Sequence, residues 1–223
     1  MMSRHSWRPL SGHFDAGLLG RTCVLELGNG DRIRLPADRW VAGPGEADEL
    51  LLSRCTGPTL DIGCGPGRLT AALAHRGVVS LGIDVSHTAV RLTRERGGMA
   101  IRRDVFNRVP GEGRWRHALL ADGNIGIGGD PIALLRRVFR LLSDDGRVLI
   151  ELEPPGAGVR SERVRVNGGR WFPWAWLSVD ALGEIVGATC LRVSWTASHG
   201  GRHFTELTRQ TPPSSPGRAG RRG

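Results

Sequence analysis

The chain has 223 residues and a formal charge of +9, and all 31 of its lysine-or-arginine positions are arginine. With no lysine and no tyrosine it has no Walker-type phosphate loop, no Schiff-base catalyst and no Tyr/Lys hydride-transfer pair. No apolar run approaches the ~20 residues that span a bilayer, and residues 1–17 lack the apolar centre of a signal peptide, so a cytoplasmic location without a membrane partner is expected.

Residues 1–44 read as an N-terminal extension. Within it, residues 23–36 form two strand-like runs joined by Asn29-Gly30, a strong hairpin signal. A short helix follows over 45–55. From residue 58 strands and helices alternate. Strands are expected at 58–63, 78–84, 99–104, 117–122 and 146–152. Helices are expected at 67–77, with Gly77 closing it, at 86–97, between Ser86 and Gly97, and at 130–142, capped by Asp130 with Pro131 in its first position. A last helix over 178–190 precedes strands near 191–197 and 203–208. This order predicts an α/β fold, a doubly wound, mostly parallel sheet with helices on both faces. Residues 45–209 read as one domain and 210–223, rich in Pro, Gly and Ser, as a disordered basic tail.

The arginines scatter along solvent faces of the predicted helices, as in "VRLTRERGG" at 90–98, so no nucleic-acid partner is expected. Cys23, Cys55, Cys64 and Cys190 stand singly, without zinc-ligand spacing. They read as free thiols, and no metal is expected.

Doubly wound sheets bind ligands at the carboxyl ends of their strands. Four of these ends carry an aspartate: Asp61, Asp84, Asp104 and Asp122. Asp61 stands directly before Gly63-Cys64-Gly65-Pro66-Gly67. A pyrophosphate bound at that loop would be repelled by it, and Arg68 replaces the last glycine of a dinucleotide fingerprint. S-adenosylmethionine suits the site, because it carries an ammonium and a sulfonium but no phosphate. Asp61 is placed for the ammonium end, Gly63, Cys64, Gly65 and Gly67 for close backbone approach, and Asp84, with Val85, for the ribose hydroxyls. Asp104, with Val105, is placed for the adenine.

These stretches, "LDIGCGPG", "LGIDVS" and "RRDVF", resemble the first three motifs of the class I S-adenosylmethionine-dependent methyltransferases. The resemblance covers roughly residues 45–208. It implies a seven-stranded sheet whose last strand is antiparallel, and methyl transfer to an acceptor. The loop after the fourth strand, residues 121–131, faces the methyl donor in that family. Here it holds Asp122 and Asn124 among glycines. Asp122 is the candidate catalytic residue, as base or positioning acceptor, and also a cofactor contact. The loop lacks the D/N/S-P-P-aromatic motif of amino-methylating DNA enzymes, and no cysteine stands where RNA cytosine enzymes need one. A small-molecule acceptor is therefore expected.

Residues 158–179 interrupt the alternation after the fifth strand and predict a hairpin or lid. Trp171, Phe172, Trp174 and Trp176 either line an acceptor site or pin this insertion to the core. His199 and His203 flank a glycine turn and read as solvated. Two other functions stay open at this point. One is a nicotinamide-dependent oxidoreductase, opposed by Asp61 and Arg68. The other is a cofactor-binding regulatory or scaffold module without catalysis. The methylated atom and the oligomeric state carry no signal in the sequence.

Overall fold

The computed structural model describes residues 12–189 and 191–210. The tail expected to be disordered, 211–223, lies outside the described residues. The N-terminal segment holds α1 (Asp15–Leu18), β1 (Val24–Leu27), β2 (Arg32–Arg34) and α2 (Ala37–Val41). Then come α3 (Glu46–Leu52), β3 (Thr59–Ile62), α4 (Arg68–His75), β4 (Ser80–Asp84), α5 (His87–Glu95) and β5 (Ala100–Arg102). The second half holds β6 (Trp115–Leu120), α6 (Pro131–Leu141), β7 (Leu142–Leu152), β8 (Val159–Val166), β9 (Phe172–Leu177), α7 (Leu182–Gly187), β10 (Leu191–His199) and β11 (Arg202–Arg209).

Seven strands form one sheet in the order β10-β11-β7-β6-β3-β4-β5. β3, β4, β5, β6 and β7 are mutually parallel, and β11 runs antiparallel between β7 and β10. This is the expected sheet, antiparallel last strand included. Its two faces follow from the period-2 alternation of the central strands. Leu119 and Leu149 pack with Leu51 of α3 and Leu73 of α4. Ala118, Leu120, Val148 and Ile150 pack with Leu135 of α6 and Ile185 of α7. Helix boundaries obey local chemistry. Asp130 accepts from the Ala133 N–H at 3.0 Å and Ser86 Oγ from the Ala89 N–H at 3.1 Å. Gly77 and Gly97 leave α4 and α5 in left-handed backbone, at φ +74° and +84°. β7 begins at Leu142, four residues before the expected start at 146. Leu142 turns straight out of α6 into extended backbone at ψ 150° and pairs with Trp115.

A second, four-stranded sheet in the order β2-β1-β8-β9 is antiparallel throughout. Its halves were expected as separate features, the N-terminal hairpin and the insertion after the fifth strand. They are one unit: Leu25 faces Val166 and Leu27 faces Val164 across β1 and β8. Leu25, Val164, Phe172 and Trp174 form its core, with Phe14 and Trp40 packed against them. The small sheet is tied to the carboxyl edge of the large one through bridges from Ile127 to Trp174 and from Glu153 to Ser178. Among the described residues, no helix is long and apolar enough to cross a membrane.

Candidate functional site

The chain enters the large sheet at its centre, winds outward through β4 to β5, then returns to β6 on the other side of β3. The crevice between β3 and β6 is the switch point where such sheets take ligands. A cavity of ≈ 510 Å³ lies there, within the range of small-molecule sites. Strand ends of the large sheet form its floor. β1, β2, α2 and the Trp174–Trp176 stretch close it from above.

Gly63 and Gly65 turn the chain from β3 with φ of +71° and +53°, backbone that favours glycine. At Gly63 a side chain would also meet the Asn124 amide at 2.8 Å. Asn124 uses that amide to hold the loop, donating to the Ile62 and Gly63 carbonyls at 2.9 Å each. Gly67 is the one expected cofactor residue that does not line the cavity. It stands behind the wall, where a Cβ would sit 2.7 Å from Thr93 Cα, and its lack of a side chain lets α4 start against α5. Cys64 lines the cavity, but its thiol lies 3.5 Å from Thr93 Oγ1, and burial raises its pKa well above the ordinary thiol value.

The aspartates converge on the same cavity. Asp61 is 3% exposed, and its carboxylate accepts from Thr70 Oγ1 at 2.6 Å. Burial pushes its pKa up to about 6, against the lowering effect of the Thr70 hydroxyl. Asp84 accepts the Gly65 N–H at 3.1 Å on one oxygen and the Ser86 N–H at 2.9 Å on the other. Burial raises its pKa, and those N–H groups oppose the rise. Asp104 accepts from the Phe106 N–H at 2.9 Å, with Val105 beside it in the wall.

Asp122 sits in left-handed backbone at φ +52°. Arg39 reaches its Oδ1 at 2.9 Å and Arg68 its Oδ2 at 2.6 Å. These pairs belong to a closed network. Arg68 also contacts Asp48, Arg202 donates to Asp48 at 2.9 Å, and Arg202 grips Glu151 through Nε at 2.7 Å and Nη2 at 2.8 Å. Glu151 in turn accepts the Asp122 N–H at 2.7 Å and faces Arg39 at 3.7 Å. Three carboxylates and three guanidiniums thus balance in a mostly buried ring. Burial works to raise the Asp48 pKa, but Arg68 and Arg202 hold it below its ordinary value. Asp48, Arg39, Glu151 and Arg202 escape sequence reasoning. They lie on four different elements, and no short motif joins them. Arg68 alone was visible, as a departure from the dinucleotide pattern.

The aromatic insertion divides its residues between both expected roles. Trp174 and Trp176 line the cavity, while Phe172 is buried in the small sheet's core. Trp171 lies outside, 39% exposed beneath the Arg165 guanidinium. His199 and His203 stay out of the cavity wall, and His199 is half exposed, 3.3 Å from Glu46.

The model of the methyltransferase domain family matches residues 59–146, the stretch from β3 into β7. No curated protein matches the chain. Among solved structures, a SAM-dependent methyltransferase from Bacteroides fragilis in complex with S-adenosyl-L-homocysteine is similar at TM-score 0.72. It is 19% identical, with 89% of this chain and 93% of that one covered. The CcbJ methyltransferase from Streptomyces caelestis follows at TM-score 0.59 and 16% identity, covering 77% and 92%. The Burkholderia thailandensis 1,6-didemethyltoxoflavin-N1-methyltransferase, with bound 1,6-didemethyltoxoflavin and S-adenosylhomocysteine, has TM-score 0.56 and 18% identity, covering 73% and 75%. Matched stretch, sheet order and shared architecture agree: residues 59–146 match the methyltransferase-domain model, and the chain has the fold of these S-adenosylmethionine-dependent methyltransferases.

Proposed function

We propose that the protein transfers a methyl group from S-adenosylmethionine to a small-molecule acceptor, with the N-terminal extension and residues 45–209 acting as one catalytic unit. The observation that carries this reading is the acid-lined, glycine-floored cavity under an apolar roof. The residues fit the cofactor. Gly63 and Gly65 present backbone where side chains would intrude. Asp84 spends one lone pair of each oxygen on a backbone N–H and keeps others for two ribose hydroxyls. Asp61 offers a buried carboxylate to the ammonium group, and Asp104, Val105 and Phe106 frame the adenine.

When bound, S-adenosylmethionine supplies a methyl already activated on a sulfonium. The chain's own residues then have two tasks, to align the acceptor with that methyl and to exclude water. Trp174, Trp176, Leu25 and Leu152 supply the apolar wall for both. For Asp122, positioning is the role its geometry supports. Both of its oxygens are held by guanidinium groups, so it orients Arg39 and Arg68 at the boundary between cofactor and acceptor. A small-molecule acceptor agrees with a cavity of ≈ 510 Å³ and with the 1,6-didemethyltoxoflavin bound in the Burkholderia enzyme.

Calorimetry with S-adenosylhomocysteine and NADH tests this reading. Homocysteine-product binding at about −8 kcal/mol, the micromolar range, with no heat from NADH is expected. Tight NADH binding and no response to the sulfur ligand would overturn it.

A further inference from the structure

Six carboxylates line the cavity, and five of them are committed. Asp61 holds Thr70, Asp84 holds two backbone N–H groups, and Asp104 holds the Phe106 N–H. Asp122 is clamped by Arg39 and Arg68, and Glu151 by Arg202. Glu153, at the mouth of β7, has no side-chain hydrogen bond or ion pair among the described residues, although it is half-buried. Its backbone is nevertheless fixed. The N–H donates to the Leu177 carbonyl at 2.9 Å, and the Glu153 carbonyl accepts from the Val179 N–H at 3.2 Å. An unpaired carboxylate is thus held at the joint between the two sheets, in the cavity wall that also carries Leu152, Trp174 and Trp176.

We propose that Glu153 receives the acceptor, that the acceptor is an apolar amine, and that Glu153 takes the proton its nitrogen gives up. This rests on the methyl-transfer reading above. Three charged groups face Glu153, one carboxylate and two guanidiniums. Glu151 precedes it on β7, Arg160 faces it from β8 and Arg39 from α2. Both arginines are engaged elsewhere: Arg39 with Asp122, and Arg160 with Glu162 at 3.2 Å while stacked 4.3 Å from the Trp176 ring. An ammonium entering the cavity therefore finds a carboxylate without a partner, and apolar walls for the rest of the molecule.

The base strength agrees with nitrogen rather than oxygen. Burial, and then the nearby Glu151 charge, raise the Glu153 pKa above its ordinary value. That makes it a stronger base than a solvated carboxylate, and the proton of an ammonium is far more acidic than that of an aliphatic alcohol. In the step itself the N–H bond breaks and its proton passes to a Glu153 oxygen. The freed nitrogen lone pair forms the bond to the methyl carbon. The carbon–sulfur bond breaks with its electron pair going to sulfur, which ends as a neutral thioether.

Benzylamine, benzyl alcohol and benzoate serve as probes of equal size and different charge, titrated with S-adenosylhomocysteine present and read by tryptophan fluorescence. Benzylamine is expected to bind about 10-fold tighter than benzyl alcohol, a difference of about 1.4 kcal/mol. Glu153→Gln should erase that preference and leave S-adenosylhomocysteine affinity unchanged. In the wild type the amine preference should fade as pH drops through the raised Glu153 pKa, and in the variant it should be flat with pH. Equal binding of the three probes, tighter binding of benzoate, or an amine preference that survives Glu153→Gln overturns the proposal. The sulfur-ligand titration alone reads the parent reaction, so loss of that binding and loss of amine preference are separate results. The wild-type comparison of probes needs no variant to fold.

Discussion

Arg39 and Asp122 are 83 residues apart in the chain and meet at 2.9 Å in the cavity wall. The pair joins the N-terminal segment to the loop after β6, and Arg68 completes it from the start of α4. Burial separates the two arginines. The Arg68 side chain is 3% exposed and the Arg39 side chain 35%.

Arg68→Ala is expected to lose about 3–5 kcal/mol of stability, because it leaves Asp48 and Asp122 as buried charges short of a partner. Arg39→Ala removes a pair open to solvent and should lose about 1 kcal/mol or less. Urea denaturation of both variants checks the order. Equal losses would mean that burial does not set the energetics of the ring.

Asp61 makes stability depend on pH in an unusual direction. Its pKa is about 6 in the folded chain, above the ~3.9 of an unfolded aspartate. Between these values the folded state holds a proton that the unfolded state has released. The contribution of Asp61 to stability is therefore full below about pH 4 and is lost as pH rises through about 6. Asp61→Asn should raise the melting temperature at pH 7 and weaken S-adenosylhomocysteine binding. A variant that melts lower and binds normally would contradict both parts.

Binding the ammonium end of the cofactor should pull the Asp61 proton off. Calorimetry near pH 6 in buffers of different ionisation enthalpy should show proton release, and Asp61→Asn should abolish it. The same heat in every buffer would remove Asp61 from the ammonium site.

Gly65 and Gly67 should respond differently to alanine. Both have positive φ, and that alone costs about 1–2 kcal/mol for an alanine. At Gly65 the nearest atom to an added Cβ is Leu18 Cδ2 at 3.5 Å, an ordinary contact. At Gly67 the Cβ would lie 2.7 Å from the Thr93 backbone, which cannot step aside. Gly67→Ala should be the more destabilised by thermal melting, and a reversed order would show that α5 yields to α4.

Asp84→Ala should weaken S-adenosylhomocysteine binding by roughly 1.5–3 kcal/mol, the scale of hydrogen bonds to a charged group. It should also lower stability, since the Gly65 and Ser86 N–H groups lose their acceptor. An unchanged dissociation constant would exclude the ribose role.

The large sheet was legible because its signals are local. Asp130 before Pro131, Ser86 before α5 and the glycines after β3 each act within a few residues of themselves. The ends of β3, β4 and β6 also carried their aspartates in plain sequence, so the floor of the cavity could be listed before any fold was known. The ring of Asp48, Arg68, Asp122, Arg39, Glu151 and Arg202 could not. Its members are brought together by sheet order, and an arginine that will be buried looks like any solvated one in a chain with so many. Glu153 was hidden for a related reason, since its distinction is the absence of a side-chain partner among the described residues. The joining of β1 to β8 depends on pairing across more than a hundred residues of chain, which neither hairpin signals alone.

On the proposed reading, that pairing makes the roof that meets the acceptor a discontinuous module. The family match at 59–146 contains the glycine loop and all four strand-end aspartates but no strand of the small sheet. The roof can therefore diverge while the cofactor machinery below it stays as it is. It must diverge in two places at once. Grafting β1 and β2 from a relative without its matching β8 and β9 would take Leu25 and Leu27 from opposite Val166 and Val164, leaving a mispaired strand edge, an invitation to pair with a neighbouring molecule. Exchange of acceptor specificity between such enzymes is expected to succeed when residues 12–42 and 158–178 travel together, and to yield aggregates when either travels alone.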